Sequence, residues 1–177
     1  MRRLIIMVVA ALALAMVGAG SGMADSGNTV ETRGREIFKP NKLVAATFHF
    51  APEVIKVRSG ERIRFVDRDQ DEDEPHTATI VNQADLPTNF DELDACFETG
   101  PCGQALAAHD PNGDQQPPFI LRVNKGKPGL DTPGDSLLFG GSLDNQSISA
   151  RVTAAPGTTL HYLCAIHPWM QGKIRVR

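Results

Sequence analysis

The stretch Tyr162-Leu163-Cys164-Ala165-Ile166-His167-Pro168-Trp169-Met170-Gln171-Gly172-Lys173-Ile174 reads as the end of one strand, a short loop and the start of another. Leu160, Tyr162 and Cys164 share one face of the first strand, and Ile174 and Val176 share one face of the second. The loop between them brings a thiolate, an imidazole and a thioether within seven positions, Cys164 to Met170. Soft ligands of this kind suit copper, and the trigonal electron-transfer site needs one thiolate, two imidazoles and a weak, long axial thioether. One imidazole is missing from the loop; His76, in Glu74-Pro75-His76-Thr77, is the candidate for it. Three strong ligands and a weak one leave no open position for a substrate, so the expected chemistry is movement of single electrons. Of the five methionines, Met1, Met7, Met16 and Met23 lie near the N-terminus, which makes Met170 the only one elsewhere, beside the only tryptophan, Trp169.

The same segment, with its C-x2-H-P-x-M spacing, resembles the C-terminal ligand loop of the cupredoxins of plastocyanin and amicyanin type. Phe50 to Phe65, with Ala51-Pro52-Glu53 and the Ser59-Gly60-Glu61 turn, resembles the paired strands that lead to their first histidine. The resemblance covers roughly residues 44 to 81 and 147 to 177. It implies an all-β, Greek-key sandwich or barrel and one type 1 copper held by His76, Cys164, His167 and Met170. It also implies that His167, Pro168 and Trp169 reach the surface through an apolar patch, with inward packing of Trp169 as core the alternative. Many relatives place Asn after the first histidine, where this chain has Thr77.

Period-two alternation runs through the remaining sequence. Val44, Ala46, Phe48 and Phe50 are expected to share one strand face; Ile55 with Val57, Ile63 with Phe65, and Ile148, Ala150 and Val152 form others. Gly and Pro turns between them indicate two packed antiparallel sheets. The domain is expected over 44–177, after an N-terminal extension at 25–43. An insertion at about 82–146 separates the first histidine from the cysteine and carries a short helix within Phe90 to Leu106, capped near Asn89. Cys96 and Cys102, six residues apart across Gly100-Pro101, suit a disulfide in an oxidising compartment, leaving Cys164 as the odd thiol for the metal.

Arg2 and Arg3, the apolar run Leu4 to Val17 and a small-residue site ending at Ala24 have the layout of a secretory signal peptide over 1–24. A periplasmic or extracellular location follows, with no membrane span after cleavage. The chain has 18 basic and 21 acidic residues, and two of the basic ones lie in the leader, so the mature domain is acidic. That excludes a nucleic-acid partner and favours a redox protein, such as a c-type cytochrome or an oxidoreductase, meeting a monomer. The run Asp67-Arg68-Asp69-Gln70-Asp71-Glu72-Asp73-Glu74 reads as a solvated loop whose charge steers a basic partner.

Leu163 and Ala165 stand where multicopper oxidases carry histidines for a trinuclear cluster, which disfavours oxygen reduction, and an electron carrier rather than an enzyme is expected. Two readings remain beside electron transfer: a copper enzyme with an additional oxygen ligand, and a copper carrier. His49, His109 and His161 lack ligand spacing, and His49 and His161 are expected to face outward.

Overall fold

The computed structural model describes residues 27–71 and 73–177; the leader expected over 1–24 lies outside them. Twelve strands form two facing sheets and a hairpin. The first sheet has the order β10 (Ser147–Arg151), β6 (Arg62–Val66), β1 (Thr29–Arg33), β4 (His49–Ala51). The second runs β5 (Val54–Val57), β12 (Gln171–Val176), β11 (Thr159–Leu163), β7 (Pro75–Val81), β9 (Ser136–Gly140), β8 (Arg122–Val123). The β1–β6 and β5–β12 pairs are parallel and the others antiparallel. The architecture is the expected all-β sandwich.

Alternation builds it where one face meets water. In β6, Ile63 and Phe65 are buried while Arg62 and Arg64 point out, and in β5 Ile55 and Val57 alternate with exposed Val54 and Lys56. The inward residues meet in one core in which Phe50, Phe65 and Tyr162 pack edge to face. At about 25 cal/mol per Å² of apolar surface, burial of such aromatic side chains is a large part of what holds the sheets together.

Three boundaries differ from expectation. Within the extension expected at 25–43, the described residues from 27 onward join the framework: β1 lies between β6 and β4, and Val30 is wholly buried. Val44, Ala46, Phe48 and Phe50 do not share a face. Leu43–Ala46 is β3, hairpin partner of β2 (Glu36–Lys39), and Val44 is 76% exposed while Phe48 and Phe50 are in the core. The strand breaks at Thr47, whose hydroxyl accepts from the Arg35 amide and donates to the Arg35 carbonyl. Gly34 makes the close approach tolerable: its φ is +127°, and a Cβ there would lie 2.5 Å from the Thr47 oxygen.

The third difference narrows the insertion. β9, inside 82–146, is a framework strand paired with β7 along Pro75–Thr79. Its sequence Ser136-Leu137-Leu138-Phe139-Gly140 is buried throughout, so it shows no alternation to read. The rest is mostly loop around two helices, α1 (Phe90–Glu98) and α2 (Pro101–His109). Asn89 caps α1 by accepting from the Glu92 amide, and Pro101 starts α2 where no backbone donor is needed. The Cys96–Cys102 disulfide joins them. Both cysteines pack with Val81, Leu163 and Ala165, so the helices sit against the residues flanking Cys164.

Candidate metal centre

β7 opens at Pro75 and delivers His76 into the interior at one end of the sandwich. β11 ends at Leu163, and the loop that follows is closed by its own backbone. The Cys164 amide donates to the Met170 carbonyl at 3.0 Å, and the Met170 amide donates to the His167 carbonyl at 2.8 Å. These bonds fold the seven-residue loop into a tight turn with Cys164, His167 and Met170 all buried.

Three of the four expected ligands therefore converge. Nδ1 of His76 lies 3.9 Å and Nδ1 of His167 3.8 Å from the Cys164 sulfur, and the three atoms are within 4.8 Å of one another. For a first-row ion with bonds of about 2.3 Å to sulfur and 2.05 Å to nitrogen in a trigonal plane, the sulfur–nitrogen separation is roughly 3.8 Å. The spacing fits an ion seated among the three donors. Met170 joins Cys164 in the main apolar core, at the foot of the same loop.

The outer nitrogens are held as a metal site requires. His76 Nε2–H donates to Asp69 Oδ2 at 2.5 Å, between side chains that are 0% and 2% exposed. The Glu74 carboxylate stands 3.3 Å from Nε2 of His167. A carboxylate at Nε2 keeps the proton there and leaves the Nδ1 lone pair for the metal. Phe48 packs against both rings, with centroids 5.6 and 4.8 Å away, fixing their tilt and excluding water.

The electrostatics agree. Burial pushes the Cys164 thiol up, but the imidazoles of His167 and His76 outweigh it and bring the thiol down to about 5. Burial also opposes the charged form of His76, yet the Cys164 thiolate and then Asp69 raise it to about 9. The metal-free site is thus a thiolate–imidazolium pair, with the sulfur already in its ligating form.

Thr77 links the His76 strand to the Cys164 loop. Its hydroxyl accepts from the Ala165 amide at 2.7 Å, and its own amide donates to the Cys164 sulfur at 3.3 Å. Sequence reasoning missed this, and it missed Asp69 and Glu74 as partners of the histidines. The signal was present: carboxylates seven and two residues before His76 lie close enough in the chain to reach an imidazole. Asp67, from the same run, is also structural, accepting from the Thr32 hydroxyl and the Gly141 amide. The remaining histidines stay away from the site: His49 is exposed on β4, His161 is half-buried on β11 and His109 is buried at the end of α2.

An all-β sandwich with a buried His–Cys–His cluster at one end is what fold and site define. The chain is similar to auracyanin A, a blue copper protein of the bacterium Chloroflexus aurantiacus, at 18% identity and a TM-score of 0.41, covering 84% of this chain and 98% of that one. It is similar to plastocyanin from Dryopteris crassirhizoma at 20% identity and a TM-score of 0.40, over 84% and 99% of the two chains. A purple cupredoxin from Nitrosopumilus maritimus aligns at 14% identity and a TM-score of 0.37, over 84% and 98%. No family model and no curated protein matches the chain.

Proposed function

We propose that this protein is a type 1 copper protein that carries single electrons between redox partners by outer-sphere transfer. His76, Cys164 and His167 form the trigonal plane and Met170 the weak axial contact. The observation that carries the reading is the pair of Nδ1 atoms facing one buried thiolate at 3.8–3.9 Å, each imidazole backed by a carboxylate. Copper, when bound, supplies the one-electron couple. The protein's part is to hold the donors in one geometry through β7, the closed loop and Phe48, so that little rearrangement accompanies electron gain or loss.

Asp69 and Glu74 face the outer nitrogens, on the far side of each ring from the sulfur. That arrangement supports a carrier over an enzyme with an added oxygen ligand. Enclosure of the donors in the core likewise argues against a copper-delivery role.

Electrons are proposed to pass at the loop. His167 is nearly covered, but Trp169 lies 5.3 Å from it by ring centroid and is 44% exposed. Trp169 opens into a groove of about 730 Å³ between β3 and the start of α1, bordered by Val44, Phe90 and Leu93. Val44 and Phe90 are largely exposed, giving the redox partner an apolar landing site beside the acidic run. The partner is read as a c-type cytochrome or an oxidoreductase meeting a monomer in the periplasm or outside the cell. No helix among the described residues is long and apolar enough to cross a membrane.

The test is the electron self-exchange rate of the copper-loaded protein, measured by NMR line broadening, with Trp169→Ala and Val44→Asp. Slower exchange with an unchanged visible spectrum supports this port. Unchanged exchange in both variants contradicts it.

A further inference from the structure

His109 takes no part in the ligand set, yet it is 2% exposed and anchors a row of buried hydroxyls that ends at the ligand loop. Its Nδ1 faces the carbonyl oxygen of Ile120, which can only accept, so Nδ1 carries a proton. Burial disfavours the imidazolium and lowers the pKa of His109, so the neutral ring presents Nε2 as an acceptor.

From that end the direction of every bond follows. The Ser136 hydroxyl, 2.8 Å away, donates to His109 Nε2. Having used its proton, Ser136 accepts from the Thr79 hydroxyl at 2.7 Å, and Thr79 accepts from the Thr77 hydroxyl at 2.9 Å. Thr77 accepts in turn from the Ala165 amide at 2.7 Å. Thr77, Thr79 and Ser136 are all wholly buried, and each hydroxyl donates once and accepts once. Strand geometry makes the row possible: Thr77 and Thr79 share one face of β7, and Ser136 is the cross-strand partner of Thr79 on β9.

We propose that His109 is a positioning residue for the metal loop, acting through Ser136, Thr79 and Thr77 to hold the Ala165 amide and the Thr77 backbone against Cys164. The chain has one end on α2 and the other at the residue after the thiolate, which gives the helical insertion a role in tuning the site. Without the His109 acceptor, Ser136 turns its proton towards Thr79 and the row reverses. Thr77 then receives two protons and its own has no acceptor in the row. The strain falls on the Ala165 bond and on the Thr77 amide that donates to the Cys164 sulfur. Weaker donation leaves more charge on the thiolate and favours the cupric state, so the reduction potential falls. This last consequence rests on the copper reading; the bonding pattern does not.

The experiment compares His109→Leu, Thr79→Val and His109→Gln with the wild type, first in the metal-free protein by amide hydrogen exchange. His109→Leu and Thr79→Val cut one chain at two points, so both are expected to speed exchange at Ala165 and Thr77 by at least about five-fold, the effect of losing a typical hydrogen bond. Leu160 and Ile174, on the neighbouring strand pair, keep their protection. His109→Gln, whose amide oxygen can accept from Ser136, restores Ala165 towards wild type. After copper loading, the first two variants shift the potential downward together. Unchanged exchange at Ala165 in either variant overturns the proposal, and so does a uniform rise across the sheet, the mark of general destabilisation. Failure to bind copper would refute the functional reading while the metal-free exchange still decides this one.

Discussion

Asp69→Ala tests how far the carboxylate behind His76 sets copper affinity. In the native site the His76 Nε2–H donates to Asp69 Oδ2 at 2.5 Å with both side chains almost completely buried. Removing the carboxylate strands a buried N–H, at a cost of about 1–3 kcal/mol. A metal-bound histidine that loses its outer partner loses roughly 10–100-fold in affinity, which is about 1.4–2.8 kcal/mol. The two routes agree. The mutation also frees the ring to flip its tautomer and place the proton on Nδ1, where the metal should bind. Competition against a copper chelator of known affinity, at neutral pH, is expected to show a loss within that range. Asp131→Ala is the comparison, because Asp131 accepts from the Thr132 and Thr153 hydroxyls and is bonded to no candidate ligand. Copper binding by Asp69→Ala as tight as wild type would refute the reasoning.

Gly172→Ala is expected to destabilise the fold by about 1–3 kcal/mol, seen as a lower urea midpoint, because the new Cβ would lie 2.3 Å from the Tyr162 ring across the β11–β12 pair. Metal-free stability should depend on pH in a defined window. Cys164, lowered from 9.0 to about 5, adds stability as pH rises from 5 to 9; His76, raised from 6.5 to about 9, loses its contribution as pH rises from 6.5 to 9. Between 6.5 and 9 the slopes cancel, so unfolding free energy should climb from pH 5 to 6.5 and then level; a steady climb to pH 9 would contradict the paired titration. Replacing both Cys96 and Cys102 with Ala opens a link spanning six residues and should cost about 2 kcal/mol in a thermal melt, the loop-closure effect for so short a ring.

The meeting of Cys164 and His167 was legible because they are neighbours in one short loop between two strands. His76 was legible only as the imidazole that this set lacks. β5, β6, β10 and β11 could be read because each has one face in the core and one towards water. β9 could not, since both of its faces are covered. The hairpin β2–β3 was hidden because its apolar residues, Phe38 and Val44, are exposed, so alternation there reports no core. The supports of the site were the least legible part. Asp69 sits in a run that composition marks as solvated, and its partner is decided only when the chain turns back at Pro75. Thr77, Thr79, Ser136 and His109 are ordinary residues in sequence, and it is strand register that lines up their hydroxyls.

The visible absorption and EPR spectra of the Cu(II)-loaded protein, recorded beside Cys164→Ser, test the central claim most directly. A type 1 site gives an intense thiolate-to-copper charge-transfer band with a narrow copper hyperfine splitting, both lost in Cys164→Ser. A weak band with a wide splitting, the same in both proteins, would mean that the thiolate does not bind the metal and would contradict the type 1 site.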